Sequence, residues 1–126
     1  MSAITIRLAW PYKELSPNYS NKKNIHGIAA AKRQYRWDCH VDARGARDCR
    51  TEYPLKAPVE ATAIFVVPKG PMPDGDNALA SIKIAIDGIA DAGILANDRD
   101  IVSWQVSVER GVKREVVILL RERTDE

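Results

Sequence analysis

The chain has 126 residues, 45% of them hydrophobic, and a formal net charge of +2 at neutral pH. That length suits one compact domain rather than two with separate cores, and no apolar run reaches the ~18 residues a membrane-spanning helix needs. The mild net charge excludes a strongly polybasic protein. The cations are unevenly placed, however: Lys22, Lys23, Lys32, Arg33, Arg36, Arg44, Arg47 and Arg50 fall in the first half and most acids follow later, a distribution that permits a polyanionic partner without requiring one.

Residues 3–9 alternate apolar and polar positions through Ile4, Ile6 and Leu8, the pattern of a half-buried strand that ends at Trp10-Pro11. Residues 1–6 lack the basic-then-apolar order of a secretory signal, so a cytoplasmic location is expected. Cys39 and Cys49 then read as free thiols rather than a disulfide. Residues 13–23 read as a loop with Ser16-Pro17-Asn18 as its turn. A helix follows over about 24–48, with Asn24 as its cap and Ile28, Ala31, Tyr35, Cys39 and Asp42 at helical spacing.

Residues 59–67, dense in β-branched side chains around Phe65, read as a central strand that Pro68 and residues 70–73 break. A second helix is predicted from Asp76 or Asn77 to Ala92, with Leu79, Ile82, Ile86 and Ile89 on one face and Gly93 just past its end. Two strands, 101–110 and 114–121, are expected to form a hairpin through Gly111-Val112-Lys113. The order β-α-β-α-β-β defines a single small α/β domain over 1–126, with a mixed β-sheet and two main helices.

Three aspartates carry the chemistry. Asp74 and Asp76 stand in Pro73-Asp74-Gly75-Asp76-Asn77 before the second helix, and Asp98 stands beyond it in Asn97-Asp98-Arg99-Asp100. Helix capping accounts for one of the first two and charge at the dipole's positive end for the other, and a solvated turn accounts for Asp98 and Asp100. Brought to one point, the three carboxylates would repel and would call for a hard divalent cation such as magnesium. An EF-hand is excluded because the residues after Asn77 lack its Gly and Glu. Lys83 lies seven positions after Asp76, two turns along nearly the same face, where a cation suits phosphate-ester chemistry as well as plain solvation. Asp87 and Asp91 read as surface salt-bridge partners on the same helix.

Those residues, with Trp10-Pro11 and Leu15-Ser16-Pro17-Asn18 before them, resemble the RusA-type Holliday junction resolvases of bacteria and phages. Pro73-Asp74-Gly75-Asp76-Asn77 is similar to that family's Asp-x-Asp-Asn signature, and Lys83, Asp87, Ala92-Gly93 and Asp98 recur in its order. The resemblance implies a homodimeric, Mg²⁺-dependent endonuclease that resolves four-way DNA junctions in recombination and repair, with Mn²⁺ as a substitute ion. It places the metal-binding acids on Asp74, Asp76 and Asp98 and the catalytic-site lysine on Lys83. Two features depart from the family pattern. The Asp76–Lys83 interval is longer by about one helical turn, moving the lysine ~4.5 Å along the axis. Asn97 replaces an acid, and the basic run before Asp74 is reduced to Lys69. Candidate phosphate contacts are Lys22, Lys23, Lys32, Arg33, Arg36 and Lys69, expected to give salt-sensitive binding with little sequence preference. The competing readings are a non-catalytic nucleic-acid-binding domain of this fold and a nuclease for flaps or forks.

Cys39, His40 and Cys49 lack a fourth ligand and paired-cysteine spacing, which argues against zinc. His26 reads as a surface residue. Of Trp10, Trp37 and Trp104, one or two are expected in the core and the remainder would be free to stack on bases.

Overall fold

The computed structural model describes residues 2–12, 15, 25–49, 51–71 and 75–123, without the side chains of residues 25, 26 and 75–79. β1 (Ala3–Ala9) buries Ile4, Ile6 and Leu8 on one face and exposes the residues between them, as its alternation predicts. α1 (Ile25–Ala46) follows, then β2 (Val59–Val66), α2 (Gly75–Asp91), a single 3-10 turn (Asp98–Asp100), β3 (Ile101–Glu109) and β4 (Glu115–Glu122). No helix among the described residues is long and apolar enough to cross a membrane. The loop predicted over 13–23, apart from buried Leu15, and the proposed cap Asn24 lie outside the described residues.

The strands form one four-stranded mixed sheet in the order β1-β4-β2-β3. β4 runs antiparallel to both of its neighbours, and β2 and β3 are parallel, joined by α2 as a βαβ unit. The register lines up rows of side chains beneath the helices. Ile4, Leu120, Ala61 and Trp104 form one row, and Ile6, Ile118, Ala63 and Val106 the next. Each row is buried at β1, β4 and β2, then becomes accessible at β3, the edge strand.

The expected hairpin between β3 and β4 does not form, because β2 lies between them. Residues 110–114 instead arch over the end of β2, crossing two inter-strand gaps, about 9.5 Å in all. Gly111 sits at the crown of this arch against Val66, and a Cβ at position 111 would collide with Cγ1 of that valine. The glycine that reads as a turn residue is thus required for close passage over a strand end.

α1 packs on β1 and on α2. Its Ala31, Tyr35, Cys39 and Ala43 are buried on one stripe, and Tyr35, 1% exposed, donates its hydroxyl proton to the Ala9 carbonyl at 2.9 Å. The two helices touch backbone to backbone at Gly88. A Cβ there would overlap the Arg36 carbonyl oxygen and come within 2.9 Å of Cys39 Cβ and 3.0 Å of the His40 nitrogen. Around this crossing, Arg36 donates Nε and Nη2 to Asp91 at 2.6 and 2.8 Å, and Arg47 donates Nη1 to the Ala92 carbonyl at 3.0 Å. The guanidinium beside Asp91 holds its carboxyl below the usual carboxylate range. Asp91 therefore bridges the helices rather than pairing along α2.

Two outcomes follow from this packing. Gly88→Ala gains about 1 kcal/mol of helix propensity but must push the helix backbones apart, an overpacking cost of about 1–3 kcal/mol; a net loss in urea midpoint is expected. Cys39 is fully buried, with burial pushing its thiol up to about 12, and Cys49 is exposed. A thiol reagent at neutral pH should therefore titrate Cys49 alone in native protein and both cysteines in denaturant.

Candidate functional site

α2 ends at Asp91, and Gly93 adopts φ 81°, the left-handed conformation that reverses the chain at low cost for a residue without a Cβ. Ile94 and Leu95 then plunge into the core, and the Ile94 carbonyl accepts from the Leu55 N–H at 2.8 Å. With those anchors set, residues 96–100 return alongside α2. Asn97 caps the 3-10 turn, its side-chain oxygen accepting from the Arg99 N–H at 3.0 Å, so Asp98 is not needed as a cap. This division of labour leaves the Asp98 carboxylate available.

The returning segment closes a cleft of about 360 Å³ lined by Ile82, Lys83 and Ile86 of α2, Asp98 of the turn, and Ile101 and Trp104 of β3. A single cation and a single carboxylate thus share a cleft with otherwise apolar walls. That composition suits a ligand oriented by a few polar groups, and the size falls within the range of small-molecule sites. Lys83 and Asp98 make no ion pair within the fold among the described residues. The sequence motifs do not point to Ile101 and Trp104 as walls. Sheet register places them: Ile101 pairs with Val59 and Trp104 with Ala61, and the register shift between Val59 and Glu60 brings these two positions of β3 to the helix-covered side.

Of the predicted acids, the structure brings Asp98 into the same cleft as Lys83. Asp76 is the second residue of α2, which sets its Cα about 10 Å from that of Lys83 along the axis, on nearly the same face. Its side chain, and Asp74 as a whole, lie outside the described residues. Among the described residues no three acids, histidines or cysteines cluster as a metal site. The donors that are described in the cleft are one exposed carboxylate, with no ion-pair partner among the described residues, and one lysine.

The candidate phosphate contacts divide. Lys32 and Arg33 are exposed on α1 and Lys69 is exposed after β2, whereas Lys22 and Lys23 lie outside the described residues. Arg36 is committed to its two-pronged bond with Asp91. Among the tryptophans, Trp10 packs against the core with its ring edge-on to Phe65 at 5.7 Å, Trp104 is 37% exposed in the cleft, and Trp37 is 58% exposed on α1.

No known protein family matches the chain. A protein of Xylella fastidiosa (strain Temecula1), described only as uncharacterized, is 37% identical to it over 102 residues, an overlap of 79% of this chain and 63% of that relative. The chain therefore spans less than two thirds of the length of the relative it matches.

Because neither cleft ion holds the fold together, Asp98→Asn and Lys83→Met should each leave the unfolding free energy within about 0.5 kcal/mol of wild type. Chemical denaturation measures this, and a larger loss would show that one of them has a structural partner.

Proposed function

We propose that the chain is a Mg²⁺-dependent endodeoxyribonuclease acting on branched DNA, with the four-way junction as its substrate. One observation supports this above the others. The chain reversal after α2 delivers an available carboxylate, Asp98, to the cleft that holds Lys83, with Asp76 two turns up the same helical face. Asp74, Asp76 and Asp98 are the residues that would hold the ion. Bound there, Mg²⁺ would supply an activated water and polarise a phosphoryl oxygen.

The chain's own groups do the rest. Lys83, which lines the cleft with Ile82, Ile86 and Ile101, offsets negative charge as it builds on the scissile phosphate. Lys32, Arg33 and Lys69, with Lys22 and Lys23, are assigned to the DNA backbone, and Arg36 is withdrawn from that set by its bond to Asp91. A junction offers two scissile strands related by symmetry, which a two-fold homodimer would match.

Cleavage of a synthetic four-way junction in Mg²⁺ tests the reading, with flaps and linear duplex for comparison. Wild type should cut the junction fastest, Asp98→Asn should lose cutting without losing binding, and Lys83→Met should be slower by roughly 100-fold or more, the scale seen when one transition-state donor is removed. Junction binding by wild type with no incision of any branched substrate would leave a non-catalytic DNA-binding domain instead.

A further inference from the structure

The outward meridian of α1 carries two large apolar side chains between arginines. Ala31, Tyr35, Cys39 and Ala43 mark the buried stripe, and the opposite side runs through Arg33, Trp37, Val41 and Arg44. Trp37 is 58% exposed and Val41 49%, so the fold leaves about half of each open to solvent. The indole is nevertheless held in place. The His40 ring stacks on it with centroids 5.1 Å apart and planes 9° from parallel. One aromatic face is thereby covered and fixed, and the rest of the ring is presented to solvent in a preorganised position.

The two charges that flank Trp37 on this face are of one sign. Arg33 and Arg44 lie on either side of Trp37, about 16 Å apart along the helix axis, and neither makes an ion pair among the described residues. The neighbouring acids are turned to other work. Asp38 accepts from Gln34 and from the Tyr12 hydroxyl, Asp91 is held by Arg36, and Asp48 accepts from the Thr51 N–H at 2.7 Å. A fixed aromatic face between two available guanidiniums is complementary to a flat ring carried between phosphates. A protein partner would gain from the apolar surface but would have to supply acids on both sides of it.

We propose that the outer face of α1 is a stacking site for an unpaired nucleobase, with Trp37 on the base and Arg33 and Arg44 on the flanking phosphates. It deepens the branched-DNA reading, since strands splayed at a branch expose such bases, but it uses a surface distinct from the Asp98–Lys83 cleft. Stacking on an aromatic side chain is tolerant of sequence, and phosphate contact by arginine is sensitive to salt.

The test is binding of labelled oligothymidylate and of a four-way junction in EDTA, where no cutting intervenes, by fluorescence anisotropy over a range of salt. Trp37→Ala should weaken binding roughly 10-fold and Trp37→Phe should recover some of it. Arg33→Ser with Arg44→Ser should lower the salt dependence by about 2 contacts, and the thermal midpoint should hold in every variant because the residues are exposed. Wild-type affinity in Trp37→Ala overturns the inference, as does a Trp37→Ala protein that stops self-associating in sedimentation while binding DNA normally. If Trp37→Ala binds and cuts a junction like wild type in Mg²⁺, the stacking site fails and the nuclease reading stands. Trp37-dependent binding with no incision by wild type would have the opposite meaning.

Discussion

Contact between the two helix backbones at Gly88 governs the rest of the molecule. With hydrogen in place of a side chain at that position, α2 sits close enough to α1 that Arg36 can reach Asp91 and Arg47 can reach the carbonyl of Ala92. Both polar contacts gather at the C-terminal end of α2, where unpaired carbonyls and a negative dipole end favour arginine. The crossing thus fixes the height and rotation of α2 over the sheet. Since Ile82, Lys83 and Ile86 form one wall of the cleft, its geometry is set by a contact on the far side of the same helix.

The sheet contributes the other wall through an asymmetry in its order. β2 is flanked on both sides, so its Val59, Ala61, Ala63 and Phe65 are wholly buried, whereas β3 has a neighbour on one side only. The small side chains of Ala61 and Ala63 leave room for the helices above the middle of the sheet. Further along the same rows, Trp104 and Val106 reach past that cover. An apolar edge strand beside an inserted turn is what turns a packed layer into an open cleft. The arch at Gly111 makes this order possible, because a short connection from β3 to β4 must clear the end of β2.

Much of the fold is legible in local pattern. The alternation of Ile4, Ile6 and Leu8 marks β1, and the spacing of Ile82, Ile86 and Ile89 marks the buried face of α2. Gly93 stands where a helix end needs a left-handed residue. Contacts between distant segments are not legible. Gly111-Val112-Lys113 has the look of a hairpin turn because short-range signals carry no information about a strand inserted from 50 residues earlier. Asp91 reads as pairing along its own helix for the same reason, whereas its true partner is 55 residues away. Of the candidate site, the pairing of Lys83 with Asp98 follows from order along the chain, but Ile101 and Trp104 as its walls depend on sheet register, which periodicity within one strand does not reveal.

The same helix crossing connects the cleft to the outer face of α1. His40 is one of the residues whose backbone meets α2 at Gly88, and its ring is the one that stacks on Trp37. A side chain on α2 that pushed the helices apart would therefore displace the support of the exposed indole as well as the lysine wall of the cleft. The charge distribution follows the same division. Arg36 and Arg47 are drawn inward to the end of α2, and Arg33 and Arg44 are left facing solvent on either side of Trp37. A count of cations over residues 33–47 treats these arginines as equivalent. Packing separates them into two that fasten the helices and two that remain available to a polyanion.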